Sequence, residues 1–283
     1  MKDIEVNEKL KAIEIDMLIE LIRICQKYEL RYFIIGGTCL GAVRHKGFIP
    51  WDDDIDIGMP RKDYNRFLEI AQNKLPSHLF LQNYKTEKDF ILNYTKIRNS
   101  NTTFVEKPVA HLDINHGVYI DIFPLDGVPE NKFVKKFNDL CLACLNLGLV
   151  RYYLDNIKYM KFRGRAVSYI MKTLYKPQQL HEKIDAIVEK YDYDQCDLVK
   201  NYFGAWGEKE IIPREYFGIG CDLTFENISV TAPIDYDKYL TNVYGDYMTP
   251  PKKERQISHH EITIIDLNNS YTLYKDYLDK LLY

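Results

Sequence analysis

Residues 36–47 read Gly36-Gly37-Thr38-Cys39-Leu40-Gly41-Ala42-Val43-Arg44-His45-Lys46-Gly47, and residues 50–58 read Pro50-Trp51-Asp52-Asp53-Asp54-Ile55-Asp56-Ile57-Gly58. The apolar run Tyr32 to Ile35 before them predicts a short strand. Gly36-Gly37-Thr38 then predicts a turn into a helix over about Cys39 to Arg44. A second strand is expected from near Asp53 to Gly58, with Pro60 in the first turn of the next helix. Strand side chains alternate between faces, so Asp54 and Asp56 project together, Asp52 continues the row, and Ile55 and Ile57 face a core.

Carboxylates in such a row repel one another unless a cation joins them. A hard divalent ion with oxygen ligands removes that penalty, and Mg²⁺ takes one or two protein carboxylates together with substrate phosphates. The plain alternative is a solvated acidic turn, but acids alternating with isoleucines do not read as one. The glycines complement the acids. A strand ending in Gly-Gly at a helix start lets backbone N–H groups approach phosphate, with the helix dipole favouring an anion. Thr38 offers a hydroxyl, and Arg44, His45 and Lys46 offer cations, each with plain surface charge as the alternative. A third acid stands in Val118-Tyr119-Ile120-Asp121-Ile122-Phe123, in phase with Tyr119 and Phe123. A lone buried Asp is costly, so Asp121 is expected to be a metal ligand or a general base.

Outward from this stretch, residues 7–28 predict an amphipathic helix with Leu10, Ile13, Met17, Leu21 and Ile24 on one face. Further strands are expected at Leu79–Gln82, Asn93–Arg98 and Val118–Phe123, the last ended by Pro124 and Gly127. Strands alternating with helices predict an α/β fold. Residues 131–176 differ: ten Lys or Arg against two acids make them +8, inside a chain whose net charge is −3. Their pattern is helical and interleaved with aromatics. A helix is expected over 180–191 and another over 270–282.

The overall charge excludes a polycation built for nucleic acid. No apolar stretch reaches the ~20 residues of a membrane span. The start, MKDIEVNEKL, has no secretory pattern, so a cytoplasmic protein with reduced thiols is expected. Cys141 and Cys144 form a CxxC without a second pair, which reads as two cysteines on one helix face rather than a zinc or redox site.

The run from Gly36 to Gly58 resembles the signature of the LicD family, within the nucleotidyltransferase-like superfamily. Later stretches agree: Tyr94 to Arg98, Asp121 to Gly127, Tyr244 to Pro251, and His259-His260. Asn227 departs from the Phe-Glu-Gly expected at 225–227. The resemblance implies a nucleotidyltransferase-like mixed sheet core flanked by helices, with a basic helical subdomain. Residues 1–130 would form the catalytic core, 131–200 the basic subdomain, and 201–283 a segment completing the cleft.

It also implies transfer of phosphocholine or a similar phospho-alcohol from CDP-choline or another CDP-alcohol. The acceptor would be a sugar hydroxyl of a cell-surface glycan of teichoic acid or lipopolysaccharide type, with CMP released. Asp54, Asp56 and Asp52 would hold Mg²⁺, or Mn²⁺ in its place. Asp121 joins them in catalysis, and Gly36, Gly37, Thr38, Arg44, His45, Lys46, Lys96 and Arg98 would meet donor phosphates. Trp51, Tyr202, Trp206, Tyr247, His259 and His260 are candidate substrate contacts, since aromatics cage a quaternary ammonium. A lipid-linked acceptor would bring residues 131–176 to the inner membrane face, where basic and aromatic residues favour the interface. Competing readings are a nucleotidyltransferase that moves NMP onto a small molecule or RNA, a non-catalytic glycan-binding protein, and a glycosyltransferase using DxD alone.

Overall fold

The computed structural model describes residues 2–154, 161–257 and 260–278. It opens with helix α1 (Lys2–Tyr28), whose Leu10, Met17, Leu21 and Ile24 are buried in the core as the periodicity predicts. The chain then passes through β1 (Phe33–Ile34), α2 (Gly36–Arg44), β2 (Asp56–Pro60) and α3 (Arg61–Ala71). Next come β3 (Leu79–Gln82), β4 (Thr95–Asn99), β5 (Thr103–Glu106) and the long β6 (Val118–Gly127). Helices α4 (Lys132–Tyr153), α5 (Phe162–Leu174) and α6 (Pro177–Val188) follow. The remainder holds β7 (Leu198–Asn201), β8 (Ile211–Pro213), the one-turn α7 (Arg214–Phe217), β9 (Cys221–Phe225), β10 (Ile228–Ala232), α8 (Tyr236–Tyr244), β11 (Ile262–Asp266) and α9 (Lys275–Leu278).

The main sheet runs β1-β2-β6-β4-β3, with β7 and β8 extending it from β6. β6 is its axis, and all ten of its residues are buried. β2 lies parallel to β6, with Asp56 opposite Asp121. On the other edge, β4 covers the first half of β6 and β7 covers the end. The sheet is therefore mixed, and helices flank it, so the expected fold class holds.

Four local expectations are corrected. β2 begins at Asp56, not near Asp53, because the Asp56 N–H is taken by the Thr38 hydroxyl at 2.8 Å. Residues 52–55 are thus an irregular approach that gathers carboxylates. α2 begins at Gly36, not Cys39, and α3 begins after Pro60 rather than around it. Pro124 does not end β6. It sits where β4 has stopped, at Thr95 opposite Ile122, and β7 has yet to start, at Asn201 opposite Leu125. Its missing N–H therefore breaks no ladder.

The basic segment is helical. Leu142, Leu145, Leu149 and Tyr153 of α4 pack with Leu180, Ile184 and Val188 of α6 in a core of their own. Cys141 and Cys144 are free thiols on α4. Of the helix expected over 270–282, the described residues form a 3₁₀ turn, Tyr271–Tyr274, followed by α9, and 279–282 lie outside the described residues.

Arg61, the first residue of α3, is tied to Asp126 of β6 by two hydrogen bonds, at 2.7 and 2.6 Å. Asp126 is fully buried, so the pair fastens helix to sheet in a low-dielectric setting. Removing one partner strands a buried charge. Asp126→Asn should cost about 3–5 kcal/mol of unfolding free energy. Urea denaturation of this variant and of the Arg61→Met/Asp126→Leu double variant checks this. The double variant should recover most of the loss, and equal losses in the two would refute the coupling.

Candidate active site

Three adjacent strands bring Asp56, Asp121 and Lys96 side by side. Asp56 of β2 is in register with Asp121 of β6, and Asp121 with Lys96 of β4. Asp54, from the irregular approach to β2, joins them. Carboxylate oxygens of Asp54, Asp56 and Asp121 all lie within 4.8 Å of one another, and those of Asp52, Asp53 and Asp54 form a second such group. Burial pushes the Asp54 carboxyl up to about 7, with Asp52 adding to the effect. Asp56 is raised well above the usual carboxylate range by burial and then by Asp54 and Asp121. Asp121 is raised by burial, partly offset by Lys96.

Two cations flank the cluster. Lys96 Nζ stands 2.9 Å from Asp121 Oδ1 and lies over the Tyr119 ring, 3.3 Å from its centroid. His260 Nδ1 bonds Asp53 at 2.9 Å, and Nε2 lies 3.9 Å from Asp54. Burial works against the imidazolium, but Asp53 and Asp54 outweigh it and raise His260 to about 9. Hard oxygen donors from three aspartates, gathered within 4.8 Å of one another, fit a divalent cation such as Mg²⁺.

The two glycines make this approach possible. A Cβ at Gly36 would stand 2.7 Å from Asp56 Oδ2, and one at Gly37 would stand 2.5 Å from Asp52 Oδ2. Gly36 also sits at φ +53°, where a side chain is strained. Its N–H donates to Tyr239 Oη at 2.9 Å. The N–H groups of Gly37 and Thr38 belong to the first turn of α2, where a helix supplies no acceptor.

Several expected site residues are used differently. Arg98 is almost fully buried and does not face a phosphate. It donates to Gln82 Oε1 and to the Gly117 carbonyl, both at 2.7 Å, and to Glu106 at 3.3 Å. Thr38 is buried, and its hydroxyl accepts from Asp56. The Arg44 guanidinium donates to the Tyr247 carbonyl at 2.6 Å, which ties α2 to the Tyr244–Pro251 stretch. Tyr247 is itself buried, with its hydroxyl donating to Asp237 at 2.6 Å. His45 meets the edge of Trp51, and Lys46 extends into solvent.

Trp206 is exposed and stacks edge-on against Tyr244, while Tyr202 is half-buried beside Lys200. His259 lies outside the described residues. Glu226, in the departing Phe225-Glu226-Asn227 turn, accepts from the Phe48 N–H at 3.0 Å and donates its own N–H to the Lys46 carbonyl. That hairpin tip therefore holds the loop after α2.

Four residues of the site escaped the sequence reading. Glu106 is held at about 2, where Lys96, Arg98 and His260 overcome its burial. Tyr119 and Tyr244 are aromatic walls beside the acids, both with phenols raised far above their usual range by burial. Glu14 of α1 is buried, its Oε2 has no hydrogen-bond partner among the described residues, and burial and Asp54 push it well up. It had a signal: a carboxyl sits between Leu10, Met17 and Leu21 on the apolar stripe.

The family model described as LicD/FKTN/FKRP, nucleotidyltransferase domain, matches residues 29–169. The chain is 32% identical over 252 residues to the lipopolysaccharide cholinephosphotransferase LicD of Haemophilus influenzae, covering 84% of this chain and 89% of that protein. It is 33% identical over 107 residues to the uncharacterized protein RP689 of Rickettsia prowazekii, 38% of this chain and 36% of that one. Over 116 residues it is 23% identical to the ribitol 5-phosphate transferase FKRP of Mus musculus, 41% of this chain and 20% of that protein. The chain belongs to the LicD family. It is a phosphotransferase, and the matched segment contains both the glycine turn and the acids of the cluster.

In this LicD-family enzyme Thr38 holds the start of β2. Thr38→Val keeps the shape but leaves the Asp56 N–H without its acceptor. The variant should lose about 1–3 kcal/mol of stability, the cost of an unsatisfied buried donor. Thr38→Ser should lose much less. Denaturant midpoints of the two variants decide it, and a valine variant as stable as wild type would refute the role.

Proposed function

We propose that the protein transfers phosphocholine, or a similar phospho-alcohol, from a CDP-activated donor to a sugar hydroxyl of a lipopolysaccharide- or teichoic-acid-type glycan, releasing CMP. The observation that carries this reading is the group of half-buried Asp54 and Asp56 with buried Asp121, in a chain aligned along most of its length with a lipopolysaccharide cholinephosphotransferase. Asp54 and Asp56, with Asp52 beside them, would hold Mg²⁺. When bound, the ion supplies charge neutralisation on the donor diphosphate.

In this reading the acceptor hydroxyl attacks the β-phosphorus. The bond from that phosphorus to the CMP oxygen breaks, and CMP leaves with the electron pair. Asp121 takes the hydroxyl proton, and its raised carboxyl is a better base than an ordinary aspartate. Lys96 holds Asp121 in place at 2.9 Å. The N-terminal end of α2, with its dipole and first-turn N–H groups, favours an anion at the mouth of the site. Positioning and electrostatics supply most of the rate, as phosphoryl transfer generally requires. The acceptor is read as lipid-linked and the reaction as cytoplasmic, at the inner membrane face.

The test is CMP release with Mg²⁺ from a panel of CDP-choline, CDP-ethanolamine, CDP-glycerol and CDP-ribitol. CDP-choline should be preferred. Nucleotidylation of the acceptor, with no CMP released, would overturn the reading. Asp54→Asn and Asp56→Asn should each cut turnover by at least about 10²-fold, the loss of a contact worth several kcal/mol. Asp121→Asn should lower kcat with little change in donor affinity. Full turnover in any of the three refutes its role.

A further inference from the structure

α5 has the sequence Phe162-Arg-Gly-Arg-Ala-Val-Ser-Tyr-Ile-Met-Lys-Thr-Leu174, and its one fully buried residue is Ser168. A helix of a soluble domain normally turns its apolar stripe inward. This one packs on α4 through small and polar contacts. Met171 Cβ would lie 2.8 Å from a Cβ at Gly148, and Arg151 of α4 approaches Ser168 and the Tyr169 ring. Phe162 is left 85% exposed, and Ile170 and Leu174 are exposed beside it. The start of α4 repeats the pattern. Phe133 is 87% exposed, and Phe137 and Leu140 follow it at the i+4 and i+7 positions of the same face.

We propose that α5 and the first half of α4 form a docking surface for an anionic lipid bilayer. The proposal deepens the reading of a lipid-linked acceptor and rests on it only for its purpose. Charge complementarity selects the occupant. Residues 131–176 carry +8, which leaves −11 on the rest of the chain. Lys132, Lys136, Lys161 and Arg163 are exposed beside the apolar side chains. Exposed leucine and isoleucine beside the phenylalanines suit acyl chains. A basic amphipathic helix with Phe and Leu on its other face lies in the plane of the headgroups. Among the described residues no helix is long and apolar enough to cross a membrane, so the contact is peripheral.

Co-sedimentation of the full chain with vesicles tests this, using phosphatidylcholine alone and phosphatidylcholine mixed with phosphatidylglycerol. The protein should pellet with the mixed vesicles at low salt, stay in solution with the neutral ones, and come off as salt rises. Lys161→Glu/Arg163→Glu should weaken partitioning by at least about tenfold, since each basic residue near an anionic surface contributes on the order of a few-fold in affinity or more. Phe162→Ser/Ile170→Ser should weaken it at every salt concentration. Both variants should keep the wild-type melting temperature and CMP release with a soluble acceptor.

Equal recovery with the two vesicle types, or no pelleting, would overturn the proposal. So would tighter binding to polyuridylate than to the vesicles, or a dimer in light scattering that Phe162→Ser dissociates. Vesicle binding without CMP release from any donor would instead overturn the transferase reading and leave the surface standing.

Discussion

Everything near the site follows from one unfavourable contact: Asp56 and Asp121 face each other in register on adjacent parallel strands. β2 and β6 are the one parallel pair among the described strands, and the pairing puts two like charges together where burial makes repulsion expensive. Asp54 adds a third. The surrounding sequence accommodates this crowding. Gly36 and Gly37 supply no side chains, and so leave room for the carboxylates of Asp56 and Asp52. Thr38 uses its hydroxyl to fix where β2 begins. The sheet order keeps Lys96 beside Asp121, so one carboxylate is neutralised within the protein.

Lys96 and Arg98 show how two cations on one strand divide their work. Both sit near the Tyr119 ring and Glu106, one strand repeat apart. The guanidinium has five donors in a fixed fork and spends them on Gln82, Gly117 and Glu106. It is a fixed brace. The ammonium is a point charge, held over the Tyr119 ring between Glu106 at 4.0 Å and Asp121 at 2.9 Å. The low value of Glu106 has the same origin, because that carboxylate is shared by two buried cations. A phosphate group would find Arg98 already committed, whereas Lys96 borders the acids directly.

The sequence made much of this legible because alternation and glycine spacing are local properties. It indicated the strand, turn, helix and strand around residues 32–58, the apolar faces of α1 and β6, and Asp121 as an acid in need of a partner. It failed where the answer depended on remote chain. Pro124 reads as a terminator unless β7, more than seventy residues later, is known to take over the edge left by β4. Lys96 and Arg98 share a face, but alternation cannot say that Gln82 and the Gly117 carbonyl lie over one and an aspartate beside the other. Arg44 reads as a phosphate ligand until the Tyr247 carbonyl arrives from two hundred residues away. Glu106 gave no signal at all, since one Glu ending a short strand looks like an ordinary solvated edge.

Glu14 extends the argument to the acids as a group. Five aspartates, at 52, 53, 54, 56 and 121, face two cations, Lys96 and His260; Glu106 shares Lys96 with them, and Glu14 adds a further carboxyl from α1. Fully ionised, the group would hold a large negative excess in a mostly buried space. The excess is relieved in two ways, and they compete. Protons relieve it at higher pH than usual, because burial first and neighbouring carboxylates second push Asp54, Asp56 and Glu14 upward. A divalent cation relieves it equally well, and ligand carboxylates must give up their protons to bind one. Proton release and the proposed Mg²⁺ binding are therefore one equilibrium. A donor whose diphosphate arrives with its cation would meet a site whose acids ionise as the cation seats, while Lys96 and His260 keep the remainder balanced.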